Sequence, residues 1–378
     1  MMISLSQLKV SALSFCFLTF STVAAESKLT FLNEFSLPTS RSFQDVLFGG
    51  LSGITYNPET NVYYAISDAR NTRVEGQSRF YELKINTTDK GIQDVKILAM
   101  KEMKDEKGTS FKEQEVDAEG IVLSPDRKSL LWVSELGSAL RKSSLDGLLL
   151  KDYNHKIPKY YNAGGELKKS DFGLRSGLSF EGISLTPDGK HIYLGAETAL
   201  KQDGNIATTL SSSPTRILKY GIDNAGNVGE LQGEYIYNVD PIPHVSRFGI
   251  NDNGLSDIIA VSDDKLLVIE RSGRNASEGF KNWDFSIKVY IADLSEATNI
   301  KGISSLSDIE NKSTLQTASK KLLIDFADYT DAPDCIEGVT FGPELDGKKT
   351  IIFVSDNNFQ PYQKNKFFMF VDTDDLLK

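Results

Sequence analysis

The sequence contains few cysteines and histidines, the residues on which zinc sites and thiol chemistry depend. Its 378 residues include two cysteines and three histidines, His155, His191 and His244, and no two histidines stand at metal-ligand spacing. It also lacks a C-x-x-C pair, a zinc motif, a glycine-rich phosphate loop and a G-x-S-x-G nucleophile elbow. The sequence therefore predicts neither a zinc or thiol site nor a nucleotide-binding loop.

Positive charge and long apolar runs are scarce as well. The formal net charge is −10 and the pI is near 5, which gives no support for nucleic-acid binding. No apolar run beyond the N-terminal segment is long enough to predict a membrane span. A composition of 40% hydrophobic and 25% charged residues is typical of a globular protein with a large core.

The first 25 residues have the pattern of a secretory signal peptide. In "MMISLSQLKVSALSFCFLTFSTVAAESK" one cation, Lys9, precedes an apolar stretch and a group of small residues, which predicts cleavage after Ala25. Cys16 offers the alternative of a lipid-anchored protein, but Phe15 before it is bulky where lipidation requires a small residue. We therefore expect a signal peptide at 1–25 and one domain at 26–378.

Removal of this segment leaves Cys335 as the remaining cysteine of the mature chain. An internal disulfide is then impossible, so the hydrophobic core must stabilise the fold. An exported protein without disulfides fits a bacterial periplasm or the medium. We expect a monomer that binds a small-molecule ester or phosphoester.

Five stretches of the chain share one plan. They are "LSGITYNPETNVYYAISDAR" (51–70), "AEGIVLSPDRKSLLWVSELG" (118–137), "FEGISLTPDGKHIYLGAETA" (180–199), "LSDIIAVSDDKLLVIERSG" (255–273) and "IEGVTFGPELDGKKTIIFVSDNN" (336–358). Each consists of a short apolar run, a turn rich in Pro, Asp, Asn or Gly, and a second apolar run that ends in an acid. The stretches lie about 60 to 80 residues apart, which leaves room for two more strands in each unit.

Repeated units of four antiparallel strands predict an all-β fold, a β-propeller with five blades. The last unit has three candidate strands, and "KLTFLNEF" (28–35) supplies a fourth that closes the ring and removes its free edges. Six blades are the alternative if the segment 284–333 hides another unit. The polar stretch 295–318 is predicted to be an inserted loop.

Acids stand at both ends of the same hairpins. The start of the first strand and the end of the second lie at one end of a hairpin, which pairs Glu119 with Glu135, for example. If the first strands line the channel, eight carboxylates converge on one mouth: Asp68, Glu119, Glu135, Glu181, Glu197, Glu270, Glu337 and Asp356. Asp257, next to Ser256 in the fourth unit, either substitutes for an early acid or faces the other way.

Such a concentration of charge requires an offset, because two like charges 4 Å apart repel by about 4 kcal/mol at an effective dielectric of 20. Bound cations, protonation and arginines are the alternatives. All-oxygen ligands select hard cations, so we expect Ca²⁺, with Mg²⁺ as the other option. Arg70, Arg175 and Arg271 lie close to the acids in sequence and would hold a phosphate by paired hydrogen bonds. Each acid could instead accept hydrogen bonds from turn N–H groups in a structural role.

These five motifs, above all "IEGVTFGPELDGKKTIIFVSDNNF", resemble the phytase-like family, described as having an esterase-like activity of phytase. The resemblance covers about residues 30–372 and implies an exported, propeller-like domain with phosphodiesterase, phytase or esterase activity. The implied site lies within the matching motifs, at Asp68, Arg70, Asp117, Glu119, Glu135, Glu181, Glu197, Asp257, Glu270, Arg271, Glu337 and Asp356. The second copy departs at its tip, where "SPDRKS" lacks the usual glycine.

Three functions remain open at this point. The first is a Ca²⁺-dependent phosphoester hydrolase with Glu119, Glu181 and Glu337 as an inner catalytic and metal-binding set. The second is a metal-dependent carboxylic ester or lactone hydrolase on the same scaffold. The third is a binding propeller without catalysis, whose acids hold structural calcium.

Overall fold

A computed structural model describes residues 29–137 and 139–377 of the chain. These residues form five four-stranded antiparallel sheets whose first strands lie side by side around a central channel. The predicted five-bladed propeller is thereby confirmed. The predicted signal peptide at 1–25 lies outside the described residues.

The strands follow one another in blade order along the chain. Before blade I come β1 (Thr30–Ser36) and a short hairpin, β2 (Ser42–Phe43) and β3 (Val46–Leu47). Blade I contains β4 (Leu51–Asn57), β5 (Val62–Ser67), β6 (Arg79–Thr88) and β7 (Gly91–Glu102). Blade II contains β8 (Ala118–Leu123), β9 (Ser129–Ser134), β10 (Ala139–Ser144) and β11 (Leu149–Asp152). Blade III contains β12 (Phe180–Leu185), β13 (His191–Ala196), β14 (Ser213–Ile222) and β15 (Val228–Val239).

Blade IV contains β16 (Gly254–Ala260), β17 (Lys265–Asn275), β18 (Trp283–Asp293) and β19 (Ser319–Asp325). Blade V contains β20 (Cys335–Phe341), β21 (Thr350–Asp356), β22 (Lys366–Val371) and β1. Helical structure in the described residues is limited to 3₁₀ turns at Asn154–Lys156, Lys159–Tyr161, Leu167–Lys169, Glu278–Phe280, Leu306–Asp308, Lys312–Thr314 and Phe326–Asp328. Within this part of the chain, no helix has the length and apolar character that crossing a membrane requires.

The pairing of β1 with β22 closes the ring. The two strands are antiparallel, from Thr30 opposite Val371 to Ser36 opposite Lys366. Residues near the start of the chain thus complete the blade formed by its end, as predicted. The pairing covers the edge that β22 would otherwise expose.

The inner strands approach one another closely because glycine occupies their crossing points. A Cβ atom at Gly120 would lie 2.5 Å from the carbonyl oxygen of Glu181, and one at Gly53 would lie 2.5 Å from that of Glu119. No larger residue fits without moving a backbone. Glycine therefore fixes the narrow channel around which the blades are arranged.

The stretch 295–318 is an insertion between β18 and β19 and not a sixth blade. It packs along β15 of blade III, where the N–H groups of Ile300 and Ala318 donate to the carbonyl oxygens of Glu234 and Ile236. It also covers a buried ion pair, since the carbonyl oxygen of Ile303 accepts from Arg216 at 2.8 Å. The inserted loop predicted from composition is confirmed, and it protects an edge strand.

Candidate functional site

Each inner strand carries a β-bulge at the same place. Just after the inner strand begins, one of its residues has no paired residue on the second strand of the blade. In blade II Gly120 is unpaired as well. A bulge re-aims side chains at the edge of a sheet. The bulged residues form what we call the inner ring: Ser52, Glu119, Glu181, Ser256 and Glu337.

A second ring of residues is formed by the second strand of each blade or by the residue directly after it. Each member is paired with the residue that stands two positions before the bulged residue of the inner strand. In blades I to III the N–H groups of Asp68, Glu135 and Glu197 bond to the carbonyl oxygens of Gly50, Asp117 and Ser179. The equivalent pairs in blades IV and V are Gly254 with Arg271 and Cys335 with Asp356. The outer ring is therefore Asp68, Glu135, Glu197, Arg271 and Asp356.

These rings border a cavity of about 500 Å³ at one mouth of the channel, which we call the acid pocket. Most of its polar lining is carboxylate. The predicted site residues that line it are Asp68, Arg70, Asp117, Glu119, Glu135, Glu181, Glu197, Arg271 and Glu337. The repeat thus gathers acids from blades I, II, III and V at a single point.

Two groups of three carboxyls are close enough to share an ion. In the first group, ligand oxygens of Asp117, Glu119 and Glu135 lie within 4.8 Å of one another. The second consists of Glu135, Glu181 and Glu197 at the same separation. Since Glu135 belongs to both, the two groups are adjacent. Only oxygen ligands are present in them, which suits Ca²⁺ or Mg²⁺.

Burial and mutual repulsion raise the pKa of several of these carboxyls. Burial, with the charge of Glu337, raises the pKa of Asp68 to about 7. Burial and the neighbouring Asp68 raise the pKa of Asp117 to about 8. The pKa values of Glu119 and Glu181 are raised well above the usual range, first by burial and then by their acidic neighbours. A cation in the pocket would offset the same repulsion.

Two carboxylate oxygens at this mouth have no hydrogen-bond partner among the described residues. They are Oδ1 of Asp68 and Oδ2 of Asp356, and both are buried. A buried acceptor without a donor costs about 1–3 kcal/mol. Protons or a cation are the available means of satisfying them.

Both arginines of the pocket are engaged with acids. The guanidinium of Arg271 lies between two rings, with Nη2 3.4 Å from Glu197 and Nε 3.4 Å from Glu337. Arg70 donates to Glu75 at 2.7 Å and lies 3.8 Å from Asp117. Arg271 is therefore the cation nearest to the inner ring, while Arg70 lies at the rim.

The family model described as "Phytase-like: Esterase-like activity of phytase" matches residues 46–359. The match spans all five hairpins and both rings. The chain belongs to the phytase-like family. No curated protein matches it.

Solved structures with a similar arrangement are distant from this phytase-like chain. A protein from Lactobacillus plantarum is 11% identical, with a TM-score of 0.36, and the match covers 81% of this chain and 64% of that one, less than two thirds of its length. Hydrazine synthase of Kuenenia stuttgartiensis is 14% identical, with a TM-score of 0.34, and the coverage is 84% and 81%.

The structure does not bring Glu270 to the mouth of this phytase-like propeller, contrary to the sequence prediction. Glu270 pairs with Leu255, one residue before the ring position, so its side chain faces the opposite side of the sheet. There it accepts hydrogen bonds from Tyr237 at 2.7 Å and Lys320 at 2.5 Å. Arg271 takes the ring position instead.

Arg175 and Asp257 also lie away from the acid pocket. Arg175 donates to the carbonyl oxygens of Ala199 at 3.1 Å and Gly204 at 2.7 Å, which fixes a loop and leaves no support for a phosphate contact. Asp257 stands in the channel where the other blades have glycine, and its carboxylate accepts the N–H groups of Ile258 and Val339. Burial raises its pKa well above the usual range. Asp257 therefore joins blades, and its carboxylate lies outside the two clusters of acids that could share an ion.

Asp356 is placed at its expected ring position but behind the pocket surface. It is fully buried, and one oxygen accepts the N–H of Asn358 at 2.9 Å. Burial and the charges of Asp68 and Glu337 raise its pKa well above the usual range. It can influence the ionisation of those two acids without touching a ligand.

Several residues that line the pocket carried no site prediction. Asp252 and Tyr362 come from loops, Trp283 and Phe285 from the start of β18, and Cys335 from the start of β20. The Sγ–H of Cys335 donates to Glu337 at 3.1 Å. Cys335 precedes the fifth repeat directly, so its proximity to Glu337 could have been inferred. The aromatic residues carried no repeat pattern.

Proposed function

We propose that the protein is an exported, metal-dependent hydrolase of phosphoesters, with Ca²⁺ held in the acid pocket and Mg²⁺ as an alternative. The observation that carries the proposal is the double ring, in which carboxyls of four blades surround a 500 Å³ cavity that also contains Arg271. Family membership supports a hydrolase of esters. The signal-peptide pattern at 1–25 supports export.

The two clusters of three acids that have Glu135 in common would hold the cation. Their members are Asp117, Glu119, Glu181 and Glu197, with Glu135 between them. A cation held there would supply polarisation of an ester oxygen and a lower pKa for a bound water molecule. Its positive charge would favour ionisation of the five carboxyls, because it would offset the burial and the repulsion that raise the pKa of Glu119 and Glu181.

Arg271 and Glu337 have separate roles in the proposed reaction. Arg271 would bind a phosphate oxygen, since its side chain lies at the pocket surface between acids of two rings. Glu337, held by Arg271 and by the thiol of Cys335, would accept the proton of the attacking water. The water oxygen would then bond to phosphorus as the bond to the ester oxygen breaks, and the ester oxygen would leave with the proton of Asp68, which lines the pocket outside the metal-binding set and whose pKa burial and Glu337 raise to about 7.

A carboxylic ester or lactone hydrolase is the second candidate. Both pocket arginines are already ion-paired, Arg70 with Glu75 and Arg271 with Glu197 and Glu337. A neutral ester needs no free cation and fits this arrangement. For the same reason, we favour a substrate with one phosphate over the many phosphates of phytate.

Hydrolysis of four substrates distinguishes these functions. The purified protein is freed of metal with EDTA and assayed with p-nitrophenyl phosphate, bis-p-nitrophenyl phosphate, phytate and p-nitrophenyl acetate, with and without Ca²⁺ or Mg²⁺. We expect Ca²⁺ to restore turnover of the two nitrophenyl phosphates. Turnover of the acetate alone would establish the ester hydrolase. If no substrate is turned over with any divalent ion, both hydrolase functions are excluded. A rise in Tm with Ca²⁺ in that case would identify a structural ion.

Replacement of Arg271 provides a second test of phosphate recognition. Arg271→Met should lower kcat/KM for the phosphates by about a hundredfold, the size expected when a charged hydrogen bond to the reacting group is lost, and should affect the acetate much less. Arg127→Met is the matched control, because Arg127 forms an exposed ion pair with Glu59 on the hairpin-turn side, outside the acid pocket. Equal losses on both substrate classes would show that Arg271 only positions its acidic neighbours.

A further inference from the structure

One blade rises above the mouth of the channel. Strand β17 has 11 residues, whereas the second strands of the other blades, β5, β9, β13 and β21, have six or seven. The extra length continues past Arg271, where residues 272–275 pair with 283–286. This two-stranded extension of blade IV forms a wall beside the acid pocket.

The wall presents aromatic rings on the same face as Arg271. In the antiparallel ladder Arg271 lies opposite Ile287, Gly273 opposite Phe285, and Asn275 opposite Trp283, so alternate residues share one face. The rings of Trp283 and Phe285 are stacked, with centroids 6.5 Å apart and an angle of 21° between their planes. Both line the acid pocket, as does Tyr362.

The two rings lie over the strand at Gly273. A Cβ atom there would be in ordinary van der Waals contact with them, 3.4 Å from Phe285 and 3.5 Å from Trp283, and 3.2 Å from Oδ1 of Asp252. We call the two stacked rings the platform, and it begins beside Asp252 and the ring position of Arg271.

A second cavity shares this platform. It has a volume of about 340 Å³, is lined by Trp283 and Phe285 and by residues 272, 274, 284 and 286 of the other face of the wall, and is bordered on its far side by residues 330–334. We call it the side groove. Its position, next to a site where a phosphate would be held, is that of a subsite for the organic part of a substrate.

Resting on the proposed function, we infer that the substrate is a phosphoester that carries one phosphate and a flat ring, which stacks on Trp283 and Phe285 and extends into the side groove. Aromatic side chains stack on aryl groups and nucleobases, and they bind highly charged polyols poorly. The scarcity of uncommitted cations in the pocket favours a single phosphate. Trp283 is thereby a residue that determines specificity.

Binding of phosphonates tests the inference without any hydrolysis. Calorimetry with Ca²⁺ present compares benzylphosphonate, which has a ring, with ethylphosphonate, which has none. We expect the wild-type protein to bind the ring compound about tenfold more tightly, as the loss of one stacking contact predicts, and Trp283→Leu to abolish the difference. Trp283→Phe should retain most of it. Phe172→Leu is the control, since Phe172 is 49% exposed and lies outside both cavities.

Kinetics provide the second measurement. With phenyl phosphate, Trp283→Leu should raise KM about tenfold and leave kcat within about twofold, whereas both constants for ethyl phosphate should be unchanged. A ring preference in binding without turnover would support the aromatic subsite at Trp283 and refute the hydrolase. Turnover with no ring preference, or an equal effect of Trp283→Leu on both compounds, would overturn the inference and leave the hydrolase intact.

Discussion

At the level of single residues, blade IV differs from the other blades because Arg271 occupies its outer-ring position. Arg271 stands where the other blades have Asp68, Glu135, Glu197 and Asp356. The sequence led to Glu270 instead, because an acid directly precedes the arginine. Since β17 continues for four residues past Arg271, the end of the apolar run did not mark the ring position. A shift of one residue turns a side chain to the other face of the sheet.

Neutralisation of one inner-ring acid should reduce function and leave folding intact. Glu181→Gln keeps the shape of the side chain but removes a charge from a buried group of acids, so we expect weaker Ca²⁺ binding and at least a hundredfold loss of kcat/KM. Its Tm in EDTA should equal or exceed that of the wild type, because repulsion is removed. Glu59→Gln, at an exposed site, is the control. A fall of several degrees in EDTA would instead indicate a structural carboxylate.

At Glu270 we expect a substitution to reduce stability and to leave Ca²⁺ binding unchanged, the opposite of the result expected at Glu181. Glu270→Ala removes the acceptor that Lys320 and Tyr237 share. Because Lys320 keeps Asp240 at 2.7 Å, the loss of unfolding free energy should be about 1–3 kcal/mol. Ca²⁺ affinity of the folded variant should be unchanged. Denaturant unfolding in EDTA and calorimetric titration with Ca²⁺ measure the two quantities. Loss of Ca²⁺ affinity with normal stability would return Glu270 to the metal site.

At the level of strands, the hairpins and their order could be predicted because they depend on local patterns. Apolar runs and turn residues mark β4 with β5 and β20 with β21 as hairpins. The bulges depend on how two strands pair, which no run of residues records. The extension of β17 and β18 follows from pairing too, so the aromatic wall with Trp283 could not be placed at the mouth from sequence.

The close approach of the inner strands predicts a strong effect of a single methyl group. Gly120→Ala would place Cβ 2.5 Å from the carbonyl oxygen of Glu181, so β8 and β12 must separate. We expect a loss of about 1–3 kcal/mol in stability and weaker Ca²⁺ binding, since Glu119 and Glu181 flank the contact. Gly204→Ala is the matched control, with its nearest contact at 3.5 Å from Pro214. Similar Tm values for both variants would contradict the proposed spacing.

At the level of the whole molecule, the buried acids make stability depend on pH. Burial raises the pKa of Asp68 to about 7 and that of Asp117 to about 8, from ordinary values of 3.8. Between these limits the folded state binds more protons than the unfolded state, so the free energy of unfolding falls as pH rises. Above about pH 8 this contribution is constant.

The metal-free protein should therefore have a higher Tm near pH 5.5 than near pH 8, and Ca²⁺ should raise Tm more near pH 8, where protons compete less for the carboxylates. Thermal unfolding in EDTA and in excess Ca²⁺ at both pH values tests this. The Glu59→Gln protein should behave as the wild type. A metal-free Tm that is equal or higher near pH 8 would contradict a pocket of protonated acids.

The closure of blade V by β1 has a consequence for when the pocket is completed during folding. Glu337 and Asp356 lie in β20 and β21, and their blade is complete only when β1 pairs with β22. Blades I to III can each form from one continuous segment, but without blade V their ring of acids remains open. The folding chain thus meets the full repulsion of its carboxyls only when these two distant strands pair, and it acquires its complete pocket only at that step.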